Sequence, residues 1–147
     1  MKTNNLNRNS VTLRLPKVLL IEDHLQTAEL VKMLMSIGRY ACHVEKQTTD
    51  IIALLDEHQP DLVILDYILP FINGGELCSA IKSDHQYRST PVIIYSAYPK
   101  VLLSLGTYHC DSFIAKPFDV KEVLSTIENI LCPKIVTGMR RHFQHVN

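Results

Sequence analysis

Asp61-Leu62-Val63-Ile64-Leu65-Asp66 is a run of four aliphatic residues between two carboxylates. An unbroken apolar run of this length, rich in branched side chains, reads as a strand buried on both faces. Working outward, Lys17-Val18-Leu19-Leu20-Ile21 and Pro91-Val92-Ile93-Ile94-Tyr95 have the same character. Tyr40 to Lys46 and Phe113-Ile114-Ala115 carry a weaker version of it. Between these runs the apolar period changes to that of a helix. Leu25 to Ile37 puts Ala28, Val31, Leu34 and Met35 on one face, and Gly38 suits a helix end. Thr48 or Thr49 is a candidate cap for a helix holding Ile51, Ile52, Leu54 and Leu55, with Pro60 closing the unit. Asn73-Gly74-Gly75 opens a helix expected to reach about Lys82. The last helix starts near Asp119, with Glu122 three residues on as in a capping box, and its apolar face runs from Val120 to Leu131. Lys100 to His109 is the weakest helix. Its Leu102, Leu103 and Leu105 suit either core burial or an exposed patch.

Buried strands alternating with amphipathic helices predict an α/β fold, a doubly wound five-stranded parallel sheet with helices on both faces. The 147 residues suit one domain, and 46% are hydrophobic, enough for a core. The expected organisation is a polar tail over 1–15, a domain over 16–132 and a C-terminal tail over 133–147. Lys plus Arg and Asp plus Glu number 15 each. A neutral chain gives no electrostatic reason to expect nucleic acid or an anionic membrane as partner. Neutrality does not oppose self-association either, which leaves a homodimer open. No apolar run reaches the roughly 18 to 20 residues of a membrane span, and the Asn-rich start lacks a secretory h-region. Cys42, Cys78, Cys110 and Cys132 form no Cys-x-x-Cys and are expected to be reduced thiols of a cytoplasmic protein. Seven histidines are scattered. His142 and His145 share a helical spacing, but no metal constellation surrounds them.

Four of the strands end in polar residues: Glu22-Asp23, Asp66, Ser96 and Lys116. Parallel strands bring these ends to one edge, where open α/β sheets bind ligands. Taken singly, each is ordinary loop chemistry; together they have a chemical purpose. Three clustered carboxylates repel and hold protons unless a cation offsets them. Lys116 is one such cation. Magnesium, which takes oxygen ligands and keeps several waters, suits the rest. A carboxylate so placed can attack phosphorus, with metal and lysine stabilising the phosphoryl oxygens and Ser96 donating a hydrogen bond.

From about Leu15 to Leu131 the chain resembles the receiver domains of two-component response regulators, which have a flavodoxin-like fold. The resemblance is carried by Val18-Leu19-Leu20-Ile21-Glu22-Asp23, Asp61 through Pro70, Asn73-Gly74, Ser96-Ala97 and Phe113-Ile114-Ala115-Lys116-Pro117-Phe118. It implies Asp66 as phosphoacceptor and Mg2+ ligand. Asp23 would be a direct ligand and Glu22 one acting through water, with the Ile68 backbone carbonyl completing the protein ligands. It also implies Ser96 as a hydroxyl switch, Lys116 as the cation facing the phosphoryl group, a cis peptide before Pro117, and Phe113 as an aromatic switch; core packing explains Phe113 equally well. The phosphoryl donor would be a phosphohistidine on a sensor histidine kinase or a histidine phosphotransfer protein. The output would be an unknown downstream protein. No helix-turn-helix follows residue 131, so a stand-alone switch is expected. Two departures stand out. Ile68 cannot orient a water, which predicts slow autodephosphorylation. The stretch between Ser96 and Lys116 is shorter than the family pattern, with His109-Cys110 in place of the small Gly-Ala step, so the signalling face is expected to be altered or merely trimmed. Competing readings are a phosphorylation-independent docking domain and an aspartyl-phosphate phosphatase. The phosphatase lacks the acid/base that haloacid-dehalogenase-type enzymes carry two residues after the nucleophile, where Ile68 stands.

Overall fold

A computed structural model describes the backbone of residues 14–98 and 108–143, with side chains as far as Cys132. The expected Lys100–His109 helix lies for the most part outside the described residues, as do Leu102, Leu103, Leu105 and His145.

Five strands form one parallel sheet in the order β2-β1-β3-β4-β5: β1 Lys17–Ile21, β2 Ala41–Glu45, β3 Leu62–Asp66, β4 Val92–Ser96 and β5 Ser112–Ala115. Among the described residues the helices are α1 Leu25–Ile37, α2 Ile51–His58, α3 Gly74–Ser83 and α4 Val120–Phe143. Every residue of β3 is buried, as its sequence implies for the middle of a sheet covered on both sides. Alternation along the strands separates two cores. Val18, Leu20, Ile64, Ile93, Tyr95 and Ile114 meet Ala28, Val31, Leu34 and Met35 of α1 and Val123, Ile127 and Leu131 of α4. Leu19, Ile21, Val63, Leu65 and Ile94 meet Ile51 and Leu55 of α2 and Leu77, Cys78 and Ile81 of α3. Each fully buried aliphatic side chain contributes about 1.5–3 kcal/mol relative to exposure.

Several helix ends depart from expectation. Thr48 and Thr49 do not cap α2. The cap is Asp50, whose Oδ1 accepts the Ala53 N–H at 3.0 Å, while the Thr48 hydroxyl accepts the Asp50 N–H at 3.0 Å in the turn before it. Gly38 ends α1, but in right-handed conformation (φ −74°); the left-handed residue is Arg39 (φ 62°). Gly38 is needed for space, since a Cβ there would lie 2.6 Å from the Tyr40 ring and 2.9 Å from Leu124. The expected start of α4 at Asp119 holds, its Oδ1 accepting the N–H groups of Lys121 and Glu122 at 2.8 and 3.1 Å. The helix then continues past Leu131 and through Pro133 to Phe143.

Two local devices place the edge that carries the polar residues. Asn73 and Glu76 form a reciprocal capping box at the start of α3, and the adjoining Gly74 returns against the end of β3. A Cβ on Gly74 would lie 2.2 Å from the Asp66 carbonyl oxygen, so only glycine lets the chain pass. Before β5, Asp111 Oδ2 binds the Lys82 ammonium at 2.6 Å and the Val92 N–H at 2.8 Å. That anchors the strand leading to Lys116.

Candidate functional site: an acidic pocket at the carboxyl edge of the sheet

The strand ends converge as their sequence positions imply. Glu22 and Asp23 follow β1, Asp66 ends β3, Ser96 ends β4 and Lys116 follows β5. The carboxylates of Glu22, Asp23 and Asp66 place one oxygen each within 4.8 Å of one another. Glu22, Asp66 and Ser96 are buried, whereas Asp23 is exposed at the mouth.

Lys116 binds two of the carboxylates. Its Nζ lies 3.2 Å from Asp66 Oδ1 and 3.3 Å from Glu22 Oε2. The same ammonium sits 4.3 Å from the centroid of the Tyr95 ring, a cation–π contact. The Tyr95 hydroxyl donates a hydrogen bond to Glu22 Oε2, and the His24 N–H donates to Glu22 Oε1 at 2.9 Å. Both Glu22 oxygens are therefore held by protein donors. Asp66 is held differently. Its Oδ1 takes Lys116 and a long contact of 3.4 Å from the Ile68 N–H, while Oδ2 accepts no hydrogen bond among the described residues.

Electrostatics follow the geometry. Burial, then the neighbouring Glu22 charge, push the Asp66 carboxyl up to about 6, with Lys116 opposing. The upward direction is the one expected of a carboxylate crowded by another, with Lys116 holding it in check. Burial and the Glu22 contact raise the Tyr95 phenol far above its ordinary range, so it remains a donor at any working pH. The residues present fit a magnesium ion: exposed Asp23 and the Asp66 carboxylate bring oxygen donors together at the edge of the sheet. Glu22, with both oxygens held, suits contact through water.

The remaining expected residues lie near this centre. The buried Ser96 hydroxyl accepts the Tyr98 N–H at 3.0 Å, and its carbonyl accepts the Lys116 N–H at 2.8 Å. The Lys116–Pro117 peptide is cis. Phe113, opposite Ile94 in β5, is half-buried against the core on the α2 and α3 side. Ile68 is 56% exposed. Sequence reasoning missed Tyr95, which it took as the end of an apolar run. The available signal was its hydroxyl, the one polar group in Val92–Tyr95.

A family model for the response regulator receiver domain matches residues 18–128. The chain belongs to that family. It is 36% identical over 119 residues to the response regulator ArlR of Staphylococcus aureus, covering 78% of this chain and 52% of ArlR. The chain thus spans about half the length of the curated relatives it matches. The fold matches the signal receiver domain of an HD domain-containing protein from Pseudomonas fluorescens Pf-5 (TM-score 0.75, 25% identity, 90% of this chain and 98% of that one). It also matches the receiver domain of a signal transduction histidine kinase from Syntrophus aciditrophicus (0.72, 27%, 80% and 91%). Chemotaxis protein CheY4 of Vibrio cholerae shares the fold (0.71, 21%, 80% and 99%). Receiver domains are signalling switches of two-component systems. No helix among the described residues is long and apolar enough to cross a membrane.

Proposed function

We propose that this chain is a phosphorylation-operated switch in which Asp66 accepts a phosphoryl group from a sensor histidine kinase or a histidine phosphotransfer protein, with Mg2+. The supporting observation is the asymmetry of Asp66: Oδ1 is tied to Lys116, while Oδ2, beside two further carboxylates, accepts no hydrogen bond among the described residues. Oδ2 attacks phosphorus, the P–N bond to the donor imidazole breaks, and its electron pair leaves with the imidazole. Lys116 faces the phosphoryl oxygens, Ser96 turns its hydroxyl to them, and Phe113 repacks on β5. Asp23, Asp66 and the Ile68 carbonyl are the proposed metal ligands, with Glu22 acting through water. The metal supplies positive charge to the phosphoryl oxygens when bound.

The test compares wild type with Asp66→Asn after incubation with magnesium and acetyl phosphate, read by intact mass. Gain of one phosphoryl group in the wild type alone supports the reading. No modification by acetyl phosphate or any other small phosphodonor transfers the weight to phosphorylation-independent docking. Sustained turnover of a phosphate ester would indicate a phosphatase instead.

A further inference from the structure

A second donor cluster lies away from the acidic pocket, where the edge strand β2 meets the end of α2. His43 and Glu45 are two residues apart on β2, so both point to the same face. His58 is the last residue of α2. The three side chains place a ring nitrogen, a carboxylate oxygen and a second ring nitrogen within 4.8 Å of one another. His43 Nε2 lies 2.7 Å from Glu45 Oε1, and the two imidazoles stack with centroids 3.8 Å apart.

His58 Nε2 sets this cluster apart. It is shielded from solvent and has no hydrogen-bond partner among the described residues; the Glu57 carboxylate lies 3.9 Å away, too far for a hydrogen bond. A buried ring nitrogen left unpaired costs about 1–3 kcal/mol, and coordination would satisfy it. Beside it opens a cavity of about 280 Å³ lined by Lys17, His43, Glu57, His58 and Pro60, which gives an ion an entry path.

We infer that His43, Glu45 and His58 form a zinc-class metal site that ties the edge strand to α2. Two imidazoles and one carboxylate are the donor set of zinc and its neighbours, whereas magnesium takes oxygen ligands. With metal–ligand bonds near 2.0–2.2 Å, tetrahedral donors lie about 3.3 Å apart. The His43–Glu45 pair must therefore open slightly and His58 close toward them. His43 must also turn its ring out of the stack so that its lone pair points at the ion. Its side chain is 47% exposed and Glu45's 36%, so both have room to move. The ion replaces the proton shared between His43 Nε2 and Glu45 Oε1. Water fills the fourth position, and the nearby Glu57 carboxylate adds favourable charge.

The test is calorimetric titration of the full chain with Zn2+ under excess Mg2+, which occupies the acidic pocket, in a Cys132→Ser background that removes the exposed thiol. One equivalent is expected, with Co2+ substitution giving the visible spectrum of a nitrogen- and oxygen-ligated ion. His43→Gln and His58→Gln should each weaken binding by more than about 100-fold, beyond the cost of losing a merely supporting group. Asp66→Asn should leave it unchanged. At a hundredfold excess over Kd, zinc should raise Tm by on the order of 5–10 °C in the parent and not in the variants. Should His58→Gln fail to fold, the exposed His43→Gln decides alone. Wild-type affinity in His43→Gln, displacement of zinc by Mg2+, or loss of binding in Asp66→Asn would each overturn the assignment.

Discussion

Replacing Tyr95 by Phe removes one oxygen atom from the structure and leaves the ring in place. The ring's packing against Phe118 (centroids 6.2 Å apart) and its contact with Lys116 at 4.3 Å survive. What is lost is the hydroxyl that donates to buried Glu22. A hydrogen bond to a charged group contributes about 1.5–3 kcal/mol net, whereas a neutral one contributes about 0.5–1.5. Tyr95→Phe is therefore expected to lower stability by about 1.5–3 kcal/mol, or roughly 5–10 °C in Tm for a domain of this size. The same change made in a Glu22→Gln background breaks a neutral bond and should cost about 0.5–1.5 kcal/mol. Urea unfolding of wild type, both single variants and the double variant closes the cycle. Equal costs of Tyr95→Phe in both backgrounds, or a cost below about 0.5 kcal/mol in the wild type, would show that the hydroxyl gains nothing from a charged Glu22.

The Asp66 carboxyl, raised from 3.8 to about 6 in the fold, prefers its proton more when folded than when unfolded. Its contribution is full below about 3.8 and is lost as pH rises through about 6. Metal-free protein should thus lose about 1–2 kcal/mol relative to Asp66→Asn between pH 4 and 7, less than full conversion of the shift because the pocket opens to water. Urea melts of both proteins in EDTA measure this, and a flat or rising difference contradicts it. Arg39, exposed and left-handed at φ 62°, should gain about 0.5–1 kcal/mol on replacement by Gly, read by thermal melting. Ile68→Asn places a polar group beside Asp66 that can orient water. Loss of a radiolabelled phosphoryl group should accelerate by on the order of tenfold, a small part of what positioning can supply; an unchanged rate counts against a role for Ile68.

Strand positions and the convergence of Glu22, Asp66 and Lys116 were legible because both depend on simple periods. Two-faced burial makes a strand continuously apolar, and parallel strands share one carboxyl edge. The buried face of α1 was read correctly for the same reason, its 3.6-residue period being undisturbed by any competing turn. Local competition hid the rest. Thr48, Thr49 and Asp50 are all good caps, and only the turn made by Thr48 shows why Asp50 is used. Gly38 looked like a left-handed cap but serves to admit Tyr40 and Leu124. The apolar stripe ends at Leu131 and residues 133–147 read as a tail, yet the backbone stays helical for another three turns. Tyr95 and His58 were hidden for a different reason. Each matters through a partner more than ten residues away in sequence, and no local pattern marks such a pairing.

The strand order has a mechanical consequence. Asp66 sits on the central strand, buried on both faces and paired on both sides, while Lys116 follows the short outermost strand, bonded on one side only. A change of charge at the centre meets a stiff foundation and a compliant rim. The displacement it causes should therefore travel outward through Lys116 to the rim, leaving β1 and β3 as the stationary frame with the slowest amide exchange.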